Sequence, residues 1–111
     1  MGFEQFDIVR VPFPFTDRTA TKNRPALVLS KSGFNNAADH SVLVMITSAA
    51  NDWPLDCPIQ DIQTAGLPVP SRIRFKLFTL DNRLIRGKIG ALSADDAQAF
   101  KKQFDRLVGY K

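Results

Sequence analysis

The sequence predicts a mainly β fold with one helix appended at its C-terminal end, and three observations carry that expectation. Short apolar runs recur between turn-rich stretches, as in small β proteins. Two of them, Ala26-Leu27-Val28-Leu29 and Val42-Leu43-Val44-Met45-Ile46, are apolar at successive positions, which suits central strands covered on both faces. Behind Ser93 the apolar residues recur instead at helical spacing. At 111 residues the chain fits one domain, residues 1–111, long enough for a real core. It contains no internal repeat or low-complexity segment.

Taken in order, the first strand covers residues 7–13. Pro12 and Pro14 cannot donate to a ladder, so that strand ends there or lies at an edge. Residues 16–23 are polar, basic and unpatterned, and read as an exposed flap leading to Arg24. Pro25 fixes its own φ and drives Arg24 out of the α region, which stiffens the mouth of the next strand, residues 26–30. Residues 31–41 carry Ser32-Gly33 and Asn35-Asn36 and predict a loop with at most a helical turn. A second central strand follows at 42–47, then a loop at 49–54 and a short strand at 57–62. Gly66-Leu67-Pro68-Val69-Pro70 blocks regular structure before the longest strand, residues 71–80. Along it Ile73, Phe75 and Leu77 face one way and Arg72, Arg74 and Lys76 the other, same-face neighbours lying ~6.8 Å apart at about 3.4 Å per residue. The helix starts at Ser93 as N-cap with Asp96 three residues on, and Asp95 and Asp96 sit at the positive end of its dipole. Ala97, Phe100, Phe104, Leu107 and Val108 form its core-facing stripe, and Gly109 suits the position after its end.

The residue inventory narrows the chemistry. A net charge of +4 and a pI near 9.6 favour an anionic partner. Cys57 is alone, which excludes an internal disulfide and agrees with a reducing compartment. No apolar run approaches the ~20 residues that span a bilayer, so no membrane association and a cytoplasmic location are expected. His40 is the only histidine, which excludes a two-histidine ribonuclease and a His-rich metal site; it reads as a solvated loop residue. Asp52, Asp56 and Asp61 make no two-metal cluster, so no metal or cofactor is expected. Ser30, Thr47, Ser48 and Ser71 would need an adjacent base to act as nucleophiles, and no G-x-S-x-G elbow is present.

A guanidinium and hydroxyl donors remain. That set suits RNA cleavage by the substrate's own 2′-hydroxyl, where the protein orients the nucleophile and stabilises charge on phosphorus. Arg24 is placed to hold a phosphate. Arg72, Arg74 and Lys76 can follow the phosphates of a single strand, or else form a solvated face or pair with Asp52, Asp56 or Asp61. Trp53, beside Pro54, either stacks on a base, anchors a partner, or packs into its own surface.

Five blocks occur in a telling order: Phe6-Asp7-Ile8-Val9-Arg10-Val11-Pro12-Phe13-Pro14-Phe15, Lys22-Asn23-Arg24-Pro25-Ala26-Leu27-Val28-Leu29-Ser30, Val42-Leu43-Val44-Met45-Ile46-Thr47-Ser48, Gly66-Leu67-Pro68-Val69-Pro70-Ser71 and Lys76-Leu77-Phe78-Thr79-Leu80-Asp81. Together, from Asp7 to Gly109, they resemble the PemK/MazF family of type II toxins, ribonucleases that cut messenger RNA and are silenced by a small antitoxin. The resemblance implies an SH3-like small barrel on a twisted antiparallel sheet, the PemK/MazF/CcdB-like toxin fold. It also implies a homodimer, single-stranded RNA as substrate and a cognate antitoxin as partner. Arg24 matches the family's R-P arginine, with acid–base and charge-stabilising roles, and Thr47 its catalytic threonine. Lys22, Ser48, Trp53, Ser71, Arg72, Arg74 and Lys76 are the RNA-binding candidates, and the implied products are a 2′,3′-cyclic phosphate and a 5′-hydroxyl.

Two features depart from the family pattern. Lys76 stands where members often carry an amide side chain for base recognition, which implies a changed target or a phosphate contact. Residues 16–23 lack the Gly-rich, acid-containing form of that loop. The alternatives on the same fold are a gyrase poison, which depends on a C-terminal Trp-Gly-Ile where this sequence reads Val108-Gly109-Tyr110-Lys111, and a catalytically silent RNA- or antitoxin-binding module.

Overall fold

A computed structural model describes residues 2–12 and 23–110. The elements run β1 (Asp7–Pro12), β2 (Asn23–Val28), α1 (Ser32–Ala38), β3 (His40–Thr47), β4 (Cys57–Pro58), α2 (Ile62–Ala65), β5 (Arg72–Asp81), a 3-10 turn (Asn82–Leu84), β6 (Gly87–Ala91) and α3 (Ala94–Val108). The six strands form one antiparallel sheet in the order β4-β5-β3-β2-β1-β6.

Successive residues of the middle strands go to opposite cores, which is why their sequences do not alternate. Ile8, Leu27, Val44, Ile46 and Ile73 pack toward α3 around Phe100, while Val9, Val11, Ala26, Val28 and Leu43 pack on the other face with Ile85. Phe100 is the centre of an aromatic cluster, with ring centroids 6.2 Å from Phe6, 5.7 Å from Phe75 and 5.8 Å from Phe104.

The sheet curls into a half-barrel: α2 follows β4 at one edge, yet packs on β6 at the opposite edge. Backbone meets backbone there. A Cβ on Gly66, whose φ is 75°, would lie 1.9 Å from the Ile89 carbonyl oxygen, and one on Gly90 would lie 2.3 Å from that of Ala65. Only glycine permits that approach.

Several boundaries differ from the sequence expectation, each for a physical reason. β2 starts at Asn23, so Arg24 and Pro25 lie within a strand. The Leu29 N–H donates to the Val42 carbonyl, so odd-numbered residues of this segment turn their backbone toward β3. The missing N–H of Pro25 therefore falls beyond the last β2–β3 pair, Ala26 with Met45, where no ladder bond is required.

Residues 31–41 form α1 and the first residues of β3, not a loop. The helix depends on Asn35, which is fully buried; its Nδ2 donates to the carbonyls of Phe3 (2.8 Å) and Ser30 (3.1 Å), and its Oδ1 accepts from the Ser30 hydroxyl. The strand expected at 57–62 shrinks to Cys57–Pro58, because Asp61 caps α2 by accepting from Thr64 N. β6 was not anticipated; its two glycines hide it in the sequence. On α3 the Ser93 hydroxyl accepts from Asp96 N as expected, but Leu107 and Val108 are exposed rather than in the core, and Gly109 has φ −54°. Residue 13, the expected end of the first strand, and most of the expected flap lie outside the described residues.

Candidate functional site

Register builds the site. Thr47, the last residue of β3, pairs with Arg72 on β5, and Arg72 pairs with Pro58 on β4. Continuing the β2–β3 register two residues past Ala26 and Met45 sets Arg24 opposite Thr47. Arg24, Thr47, Arg72 and Pro58 thus form a row across four strands, at about 4.8 Å per strand. Ile46 and Ile73, one residue on, point to the α3 core, so the row lies on the face turned away from that helix.

Two clefts flank Thr47. One, about 210 Å³, is lined by Arg24, Thr47, Ser48, Val69 and Ser71 among others; the second, about 260 Å³, by Thr47, Ser48, Ser71, Arg72 and Gln60 among others. Sharing Thr47, Ser48 and Ser71, they adjoin. The Thr47 hydroxyl oxygen accepts from Ala49 N at 3.1 Å, which leaves its proton free to donate outward. The Ser71 hydroxyl instead donates to the Val69 carbonyl at 2.9 Å. Arg24 is exposed, and among the described residues it has no ion-pair partner.

The three cations of β5 divide. Arg74 is buried, its Nε and terminal nitrogen bonding both oxygens of Asp56 (3.2 and 2.9 Å) and that terminal nitrogen also reaching the Asn51 carbonyl at 2.6 Å. It is a fixture of the fold, held by Asp56 in one of the pairings weighed from the sequence, and it does not stand with Arg72 and Lys76 in a row of three cations open to a single strand. Arg72 is only partly engaged: one terminal nitrogen contacts Asp52 (3.2 Å) and Asp56 (3.3 Å), and among the described residues its other donors have no partner. Asp61, weighed as a third partner, caps α2 instead. Leu77, on the same face as Ile73 and Phe75 by alternation, is exposed, and two extra residues of β5 between Arg74 and Leu77 form a bulge against β3.

Asp56 organises this corner. Burial raises its carboxyl, but hydrogen bonds from Arg74 and Arg72 outweigh that and hold it below the ordinary value. It also accepts from Trp53 N at 3.1 Å. Trp53 stays partly exposed with Lys76 Nζ 4.8 Å and the Arg74 guanidinium 5.8 Å from its ring centroid.

Of the sequence candidates, Arg24, Thr47, Ser48, Ser71 and Arg72 come together around the clefts, while Trp53 and Lys76 stand on the adjoining loop and strand. Lys22 lies outside the described residues. His40 sits at the opposite end of β3 from Thr47, about 24 Å away at 3.4 Å per residue, with Nδ1 on the Ala38 carbonyl. Burial pushes the Cys57 thiol up, leaving it a core side chain. Sequence reasoning passed over Gln60; the only signal was its position two residues from Pro58 on an edge strand. Among the described residues no three His, Cys, Asp or Glu side chains gather where they could hold a metal ion. Likewise, no helix among them is long and apolar enough to cross a membrane.

Comparison with curated proteins gave no match. Solved structures do match. The fold is similar to MazF from Deinococcus radiodurans, at 22% identity and TM-score 0.76 over 99% of each chain. It is similar to the Mycobacterium tuberculosis toxin MazF-mt6, at 18% identity and TM-score 0.76 over 95% of this chain and 98% of that one. An endoribonuclease in complex with its cognate antitoxin from a mycobacterial species matches at 13% identity and TM-score 0.75, over 99% and 96%. At such identities the likeness shows the fold, a mainly β half-barrel with a C-terminal helix. The sequence itself matches a family across residues 4–108, and on that match the chain belongs to the PemK-like, MazF-like toxins of type II toxin-antitoxin systems.

Proposed function

We propose that this toxin is an endoribonuclease that cuts single-stranded mRNA at specific sequences, without a metal, and so inhibits growth. The observation that carries the reading is the row in which Thr47 is flanked by Arg24 and Arg72. A phosphate seated over the Thr47 hydroxyl would meet one guanidinium on each side. The ribose 2′-hydroxyl gives its proton to a solvent water as its oxygen bonds to phosphorus, and the bond to the 5′-oxygen breaks, that oxygen taking a proton from water as it leaves. The products are a 2′,3′-cyclic phosphate and a 5′-hydroxyl. Arg24 stabilises charge on the phosphoryl oxygens, Thr47 donates a hydrogen bond to one of them, and both act in place without reorganising. Among the described residues the carboxylates that contact the row, Asp52 and Asp56, are already occupied by arginines, which supports a mechanism built on cations. A cognate antitoxin, a homodimeric state and a cytoplasmic location belong to the same reading, supported by family membership and by the antitoxin complexes among the similar folds.

Incubating the purified protein with a long single-stranded RNA in EDTA, then mapping the ends, tests it. Cleavage at a recurring sequence with cyclic-phosphate and 5′-hydroxyl ends is the expected result. Intact RNA, or cutting that requires an added divalent metal, would overturn it.

A further inference from the structure

The row continues past Arg72 to β4, and the larger cleft lies there, on the side of Thr47 away from Arg24. The chemistry at Thr47 uses only its Thr47 and Arg72 rim. Resting on the ribonuclease reading, we propose that this cleft seats one unpaired base next to the scissile phosphate, that Gln60 reads it, and that the base is adenine.

Gln60 is built as a reader. Its backbone N–H donates to Asp96 Oδ1 at 3.0 Å and that of Asp61 to Asp96 Oδ2 at 2.9 Å, both on a carboxylate of α3 that is only 2% exposed. One residue earlier, Ile59 N donates to the Ser71 carbonyl at 3.0 Å. The Cα of Gln60 is thus fixed from the helix and from the start of β5. Its side chain is exposed, and among the described residues its amide has no hydrogen-bond partner. The group is held at the root and free at the tip.

The walls suit a flat heterocycle. Pro58, Pro70 and Ala50 supply apolar surface, while Arg72 stands at the boundary with the Thr47 cleft, where the attached phosphate would lie. A glutamine amide offers a donor and an acceptor side by side, the pattern that pairs bidentately with adenine N7 and N6. An unpaired base presents those edges freely. Lys76, the base-recognition candidate of the sequence, does not line this cleft; its ammonium lies over Trp53.

The test uses a randomised single-stranded pool of 2′-fluoro RNA, which lacks the attacking hydroxyl and so reports binding alone. Wild type should enrich adenine about tenfold at one position. Gln60→Ala should erase that preference, lowering affinity for the adenine-containing sequence by about the same tenfold, and leave the preferences at the other positions in place. Gln60→Glu, which only accepts, should lose adenine and move the preference to guanine, whose unpaired N1–H and N2 amino group donate side by side. An unchanged motif in Gln60→Ala, or a wild-type motif without adenine, overturns the proposal. Thermal unfolding of both variants should match wild type, because the substituted side chain is exposed. Cleavage of the matching ribose pool in EDTA separates the two readings. Selective binding without cutting sinks the ribonuclease and keeps Gln60, whereas cutting with the motif unchanged in Gln60→Ala sinks Gln60 alone.

Discussion

Arg24 and Arg74 are the same residue type a few strands apart, and their surroundings give them opposite roles. Arg24 is exposed on β2 without an ion-pair partner among the described residues, so its removal should leave folding intact. Arg24→Ala is expected to lower cleavage about a hundred- to thousandfold, the effect of losing one transition-state donor worth roughly 3 to 4 kcal/mol. Arg24→Lys should recover little, since an ammonium lacks the planar fork. Single-turnover rates at unchanged unfolding temperature check both. Thr47→Val keeps the β-branched shape while removing the hydroxyl, and is expected to slow the same rate about tenfold. Asp56→Asn acts on structure instead, because it leaves Arg74 buried with its charge unpaired. A loss of about 3 kcal/mol in unfolding free energy is expected, and the emission of Trp53, the only tryptophan, should shift to the red. In wild type the Asp56 carboxyl titrates below its ordinary 3.8. The contribution of this clamp is therefore complete above that pH and disappears only as the pH falls through the lower folded value. Trp53 emission should stay constant from neutrality down to pH ~4 and change below it; a transition between pH 5 and 7 would contradict the assignment.

Elements here are set as much by what they close against as by their own residues. Gly90 belongs to β6 and faces the backbone of Ala65 and Gly66, so a methyl group cannot enter without parting α2 from the sheet edge. Gly90→Ala should cost about 1 to 3 kcal/mol. Gly33, in the first turn of α1, has open space around its Cβ position, and Gly33→Ala should add about 0.5 to 1 kcal/mol. Chemical denaturation of the two variants reads both signs. The same pair explains which elements the sequence revealed. β1, β2, β3, β5 and α3 are written in local pattern: continuous apolar runs where both faces are covered, and an N-cap with a helical stripe. α1 is not, since Gly33, Asn35 and Asn36 are poor helix formers; Asn35 earns its place through the carbonyl of Ser30 just ahead of the helix and that of Phe3, which is distant in the chain. β6 is likewise invisible, because its glycines weaken a strand locally; Gly90 is needed where the half-barrel closes, and Gly87 for its φ of 152°. The exposed end of the α3 stripe shows the reverse case, a helical pattern that runs on past the core it serves.

For the molecule as a whole, the net charge of +4 says little until the cations are placed. The sequence indicated Arg24, Thr47 and the β5 arginines one by one, but the row that joins them exists only through the pairing of strands distant in the chain. Gln60 escaped notice because an exposed glutamine carries no signal until a cleft surrounds it. The division between Arg72 and Arg74 was equally hidden, since it depends on how the loop carrying Asp52, Trp53 and Asp56 folds back onto β5. That division makes a quantitative prediction for RNA binding. Each phosphate contact contributes about 0.7 to the slope of log affinity against log salt for a single strand. Replacing Arg72 and Lys76 together by Gln should flatten the slope by about 1.4, with a smaller loss of unfolding temperature than removal of Arg74, because both side chains are only half-buried and Asp56 keeps its buried arginine. Arg74→Gln should do the opposite, destabilising the fold by removing the buried partner of Asp56 while a folded fraction keeps the wild-type slope. If Arg74→Gln lowers the slope as much as Arg72→Gln, Arg74 leaves Asp56 when RNA binds, and the buried pair is a latch that the nucleic acid opens.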